Sequence, residues 1–199
     1  MFIIDDIIEI GMIISLVINA LDIVGKVIMA IAKALGLVEE DEKLDELGDK
    51  AIQAEEAGIT PDKFETYDEY VKAVEEFEVD PEKSKEIPTG DKVKKGIELL
   101  ARNAEEKYDI EPEATVGMIG VIASNPEFFN GCGSLLAAAI KENPNFVSEL
   151  NGYVNGTEKN ENKLADMEDN LVNMAKTKTV DPVNSDFEAL KMVDGLRKN

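Results

Sequence analysis

Apolar residues return at helical spacing along most of this chain. Tyr67, Tyr70, Val71, Val74 and Phe77 fall on one helical face, Val93, Ile97, Leu100, Ala104 and Tyr108 on another, and Leu164, Met167, Leu171 and Met174 on a third. Each face needs a partner to cover it. Helix-opening signals precede several of them: Thr60-Pro61 reads as an N-cap followed by a first-turn proline, and Thr66 to Glu69 and Ser185 to Glu188 read as capping boxes. Asn125-Pro126-Glu127-Phe128-Phe129 is echoed at Asn143-Pro144-Asn145-Phe146-Val147, and both read as short helices with an aromatic turned inward. Thr115 to Ile122 is rich in β-branched residues, but Gly117 and Gly120 suit a closely packed helix, and helix is the expectation. Asn151-Gly152 and Asn155-Gly156 mark a stop and a loop before a long helix from about Thr157 to Lys176. Thr177 to Asn184, with Pro182, then links to a final short helix. The expected fold class is all-α.

The N-terminal segment departs from this amphipathic pattern. No charged residue occurs between Ile10 and Leu21, and from Phe2 to Val38 the only ones are Asp5, Asp6, Glu9, Asp22, Lys26 and Lys33. Read as one long helix, the segment carries its polar residues Ser15, Asn19, Asp22, Lys26 and Lys33 in a single narrow stripe and is apolar elsewhere. An ordinary surface helix is apolar over only part of its circumference, so this one is expected to be covered on most sides. Its own chain, further copies of itself or lipid could supply that cover. Gly11-x-x-x-Ser15 and Ala32-x-x-x-Gly36 are small-residue spacings that allow close helix contact in any of the three settings. For lipid the balance is near zero. A span of about 20 residues is needed, and Ile10 to Met29 has that length, but Asp22 and Lys26 oppose insertion by roughly 2.5 to 3.5 kcal/mol each near the bilayer centre.

Charge divides the chain into three expected parts: an apolar N-terminal helix over residues 1–38, an acidic helical segment over 39–88 and a compact C-terminal helical bundle over 89–199. Residues 39–86 hold nineteen acidic and six basic residues, a net of −13 within a chain whose formal charge is −21. So acidic a surface repels phosphate backbones, which makes nucleic acid a poor partner, and Arg102 and Arg197 are the only arginines available to clamp a phosphate. The caps and faces from Thr60 onward form a complete set, so residues 39–199 are expected to fold without the first helix.

The residue inventory narrows the chemistry further. There is no histidine, which removes imidazole bases, nucleophile–histidine pairs and the usual zinc and iron ligand sets. Cys132, the single cysteine, has no internal partner, and its setting in Asn130-Gly131-Cys132-Gly133-Ser134 reads as a half-buried turn. Carboxylates are the one abundant catalytic group, yet adjacent pairs such as Glu39-Glu40, Glu55-Glu56, Glu75-Glu76 and Glu105-Glu106 diverge by about 100° on a helix and read as solvated surface. No EF-hand spacing is met, and the expectation is no cofactor, no metal and no catalytic residue.

What remains is a non-enzymatic structural or assembly subunit. It is expected to self-associate as a homo-oligomer through the first helix, with Gly11, Ser15, Asn19, Asp22, Lys26 and Lys33 in the contact. A membrane-anchored or membrane-inserting protein using residues 10–38 is the alternative, and an enzyme relying on carboxylates alone comes third. With acidic residues and no lysine or arginine ahead of the apolar run, the N-terminus does not read as a secretory signal, so the expected location is the cytoplasm or an assembled particle.

Overall fold

The computed structural model describes residues 4–39, 41–179 and 184–197, with side chains from residue 10 onward. The elements in chain order are α1 (Ile4–Asn19), α2 (Leu21–Leu35), α3 (Leu44–Glu56), α4 (Tyr67–Glu75), α5 (Pro81–Glu86), α6 (Thr89–Tyr108), α7 (Pro112–Ser124), α8 (Pro126–Phe129), α9 (Gly133–Glu142), α10 (Phe146–Val154), α11 (Glu161–Lys176) and α12 (Ser185–Asp194). A single 3₁₀ turn, Pro61–Lys63, precedes α4, and there is no strand among the described residues. The chain is all-α, as its periodicity requires.

Much of the local detail follows from residues visible in the sequence. Thr66 Oγ1 accepts from the Glu69 amide at 3.2 Å and opens α4, while Asn160 Oδ1 accepts from the Asn162 and Lys163 amides and starts α11 later than expected. Tyr70, Val71 and Val74 are buried on α4, and Val93, Ile97, Leu100 and Ala104 on α6. Two further boundaries differ from expectation. Asn143-Pro144 forms a turn, with the next helix beginning at Phe146, because the Asn143 amide still closes α9 on Ala139 O. Thr60-Pro61 opens only a 3₁₀ turn. Glu40 of the Glu39-Glu40 pair and the middle of the Thr177 to Asn184 linker, Pro182 included, lie outside the described residues.

The N-terminal segment is not one long helix. It breaks at Ala20, and α1 and α2 meet at a bend of 109°. α2 runs through the interior against α9, with Val24, Val27, Ile28, Met29, Ile31 and Leu35 all buried. α1 folds back over α7 and α6.

Two glycines set the close approach of α3 and α6. A Cβ at Gly48 on α3 would stand 1.7 Å from the Lys92 carbonyl oxygen, and one at Gly96 on α6 would stand 2.5 Å from the Leu44 carbonyl oxygen. α3 and α6 therefore touch backbone to backbone, which only residues without side chains allow. On α7, Gly120 receives Ile13 of α1 and Gly117 receives Asn151 of α10.

One apolar cluster runs from Ile13 and Val17 through α2, α3, α4 and α6 to α11 and α12, ending at Leu196. The acidic middle segment takes part in it through Leu44, Leu47, Ala51 and Ala54, so its charge lies on the outer faces of helices whose inner faces share the common core. α2 lies inside the core that residues 39–199 share.

Candidate functional site

The bent pair α1–α2 holds every interaction residue expected from the sequence, and all six face solvent. Gly11, Ser15 and Asn19 lie along the outer face of α1, and Asp22, Lys26 and Lys33 along that of α2, with the bend between the two groups. A Cβ at Gly11 would meet nothing within 4 Å, so this glycine serves no close contact within the chain. Ser15 Oγ donates to the Gly11 carbonyl at 3.0 Å, turning its hydroxyl onto its own helix. Lys33 pairs with Asp41 beyond the end of α2, and Gly36 takes the left-handed conformation (φ 68°) that terminates the helix. Among the described residues no ion pair joins Asp22 to Lys26. The Lys43 cation is favoured chiefly by Glu46, and Asp22 is the smallest of the charges that add to it.

The two helices differ in how their apolar residues are covered. α2 has its inner face enclosed by its own chain and its polar residues directed to water. α1 buries Ile13 and Val17 but leaves Met12 (59% exposed), Leu16 (39%) and Ile18 (38%) uncovered beside Gly11, Ser15 and Asn19. Its outer face from Ile10 to Asn19 is therefore uncharged, mixing exposed Met12, Leu16 and Ile18 with Ser15 and Asn19, on a chain of net charge −21. Among the described residues no single helix is long and apolar enough to cross a membrane, whereas the pair Ile10–Asn19 and Leu21–Leu35 meets the length and composition of a span when taken together across its bend.

Away from α1, polar clusters join neighbouring helices. Asp49 on α3 is 5% exposed and pairs with Lys92 Nζ at 2.7 Å, accepts from Gln53 Nε2 at 2.8 Å and accepts from Ser84 Oγ. Gln53 Oε1 in turn accepts from the Asp80 amide at 2.8 Å. Burial alone would raise the Asp49 pKa, but the hydrogen bonds from Lys92, Ser84 and Gln53 outweigh it and hold the carboxyl below its ordinary range. Together these contacts tie α5 to the α3–α6 crossing. Sequence reading missed this node because its members are scattered over 44 positions from Asp49 to Lys92, and the signal available was only two polar residues, Asp49 and Gln53, spaced i, i+4 on one face.

An open polar cleft is lined by Glu39, Glu42, Lys50, Lys72, Glu75 and Glu76. Lys50 bridges the Glu42 carboxylate and the Glu75 carbonyl across it, and Glu75 Oε1 accepts from the Glu39 amide at 2.9 Å. No group of three or more Cys, Asp or Glu side chains among the described residues is arranged to hold a metal ion. Cys132 is fully buried before α9, deeper than its flexible turn suggested, and burial pushes its thiol pKa up. No protein-family model, curated protein or solved structure matches the chain.

Proposed function

We propose that the protein is a non-enzymatic assembly subunit that associates with further copies of itself through its N-terminal helix pair. The observation that carries this reading is the outer face of α1, where Met12, Leu16 and Ile18 are exposed within a stretch that has no charge from Ile10 to Leu21. Two bodies of charge −21 repel wherever their acidic surfaces meet, and the interaction is screened over about 8 Å at physiological salt. A neutral apolar face is where such copies can approach and gain apolar burial. Asn19 and Ser15 supply hydrogen-bonding groups at that face, and a two-fold contact would use the same residues from both sides. The test is the mass in solution of the wild type and of Leu16→Glu with Ile18→Glu, measured by light scattering. The wild type is expected above monomer mass and the double variant at monomer mass.

A membrane reading rests on a separate observation, the combined length and hydropathy of Ile10–Asn19 and Leu21–Leu35. It ranks second because α2 already has its apolar face enclosed by α9, α3 and α8 of its own chain, and insertion would strip the core of that helix. Flotation of the purified chain with neutral phosphatidylcholine vesicles separates the two readings.

A further inference from the structure

The bend at Ala20 has no local cause in the sequence. Sharp helix breaks arise at proline, at glycine or serine pairs, at π-bulges or where a group inserts into the hydrogen-bond ladder. From Met12 to Val24 there is neither proline nor glycine, and the residue at the break is alanine, the strongest helix former. Ala20 nonetheless sits at φ −128°, ψ 30°, and no side chain caps the amides that open α2.

The residue pattern runs through the bend as though it were absent. Ile13, Val17, Val24, Ile28, Ile31 and Leu35, all buried, follow one another at steps of four, seven, four, three and four, which is one face of a single straight helix. Ser15, Asn19, Asp22, Lys26 and Lys33 keep the same register on another side. The bend is therefore imposed by where α1 packs, on α7 and α6 with Ile13 seated against Gly120, and α1 touches α2 far less than it touches α7.

We propose that two copies exchange α1: the bend opens, α1 and α2 become one continuous helix of about 48 Å, and each α1 docks in the α7–α6 groove of the other copy. The proposal rests on self-association through the N-terminal helix pair and names its route. The occupant of the groove is a second copy because the groove is already shaped for this helix: Ile13 and Val17 would make against the partner's α7 the contacts they make at home. Short hinges whose sequence favours helix are where such exchange is easiest. Exchange also brings the two hinges together, where Leu16, Ile18 and Asn19 lie exposed in the closed chain.

The test traps α1 on its partner. Ile13→Cys and Gly120→Cys are made in separate full-length chains carrying Cys132→Ala, the two are mixed, unfolded and refolded together, and then oxidised. A Cβ at residue 120 would lie 3.1 Å from Ile13 Cγ1, close enough for the two substituted positions to form a disulfide. A covalent heterodimer, absent when either chain is refolded alone, is the expected result. In parallel, Leu21→Pro places proline at the first position of α2, where the bent form gives up no helical hydrogen bond and needs only a shift of Ala20 from ψ 30° toward extended backbone, whereas a continuous helix is broken. It is expected to keep wild-type helicity by circular dichroism and to run as a monomer. A dimeric wild type that yields no heterodimer shows copies meeting without exchange; the proposal falls while self-association stands. A monomeric wild type defeats both, and a dimer that forms only in detergent overturns exchange in favour of lipid. Should Leu21→Pro fail to fold, the cross-link alone decides.

Discussion

Ile13 on α1 lies so close to Gly120 on α7 that a Cβ at the glycine would stand 3.0 Å from Ile13 Cδ1. The neighbour is the far end of a flexible side chain, so Gly120→Ala is expected to change stability by less than about 1 kcal/mol, the crowding being offset by better helix propensity. Gly120→Leu overfills the contact at a cost of about 1 to 3 kcal/mol and lifts α1 off α7. Hydrogen exchange checks this: amides of α1 should lose protection in the leucine variant while those of α6 keep theirs.

Gly11 and Gly48 predict opposite outcomes for the same substitution. Gly11 is exposed in mid-helix with open space around it, so Gly11→Ala is expected to stabilise by about 1 kcal/mol, a rise in Tm of roughly 2 to 4 °C. Gly48→Ala drives a Cβ into the Lys92 carbonyl and separates α3 from α6; it is expected to lose about 3 kcal/mol or more and to lower Tm by at least 6 °C or so. Calorimetry of the two variants beside wild type measures both.

The Asp49 node sets an acid limit. Its folded pKa lies below the ordinary aspartate value, so its contribution is complete above the unfolded pKa near 3.8 and is lost as pH falls through the lower folded value. Asp49→Asn should flatten the acid limb of the stability profile. Asp49→Ala leaves Lys92 half-buried without its carboxylate and is expected to be destabilising by about 3 to 5 kcal/mol at neutral pH, read from urea unfolding.

Truncation separates the roles of the two N-terminal helices. The large buried residues of α2 each contribute about 1.5 to 3 kcal/mol, together comparable with the whole net stability of a domain, about 5 to 15 kcal/mol. A chain lacking residues 1–19 is expected to melt cooperatively, whereas one lacking 1–38 is expected to lose its cooperative transition by circular dichroism.

The helical class and most buried faces were legible because a 3.6-residue period needs only local information, as the faces of α4, α6 and α11 show. The bend at Ala20 was not legible, since nothing between Met12 and Val24 interrupts the helix pattern and the cause lies in α7, a hundred residues away. That Asp22, Lys26 and Lys33 share one side of α2 followed from the stripe, but the expectation placed that side in a contact between copies, and within the chain it faces solvent. What the stripe did not reveal is that the chain's own α9 and α3 enclose α2, so that within the N-terminal pair it is α1 that keeps large apolar side chains exposed, as α12 does with Phe187, Leu190 and Met192. The Gly48–Lys92 contact was equally hidden, because a glycine in a helical run looks the same whether it meets water or a backbone.

Self-association through the N-terminal helix is tested most directly by sedimentation equilibrium of the full chain at micromolar concentration without detergent, at about 50 mM and about 500 mM salt. With 42 acidic against 21 basic residues on each copy, salt should screen repulsion between bodies that meet through an uncharged face. A mass above monomer is expected, with tighter association at the higher salt. A monomer at both salt concentrations would contradict it.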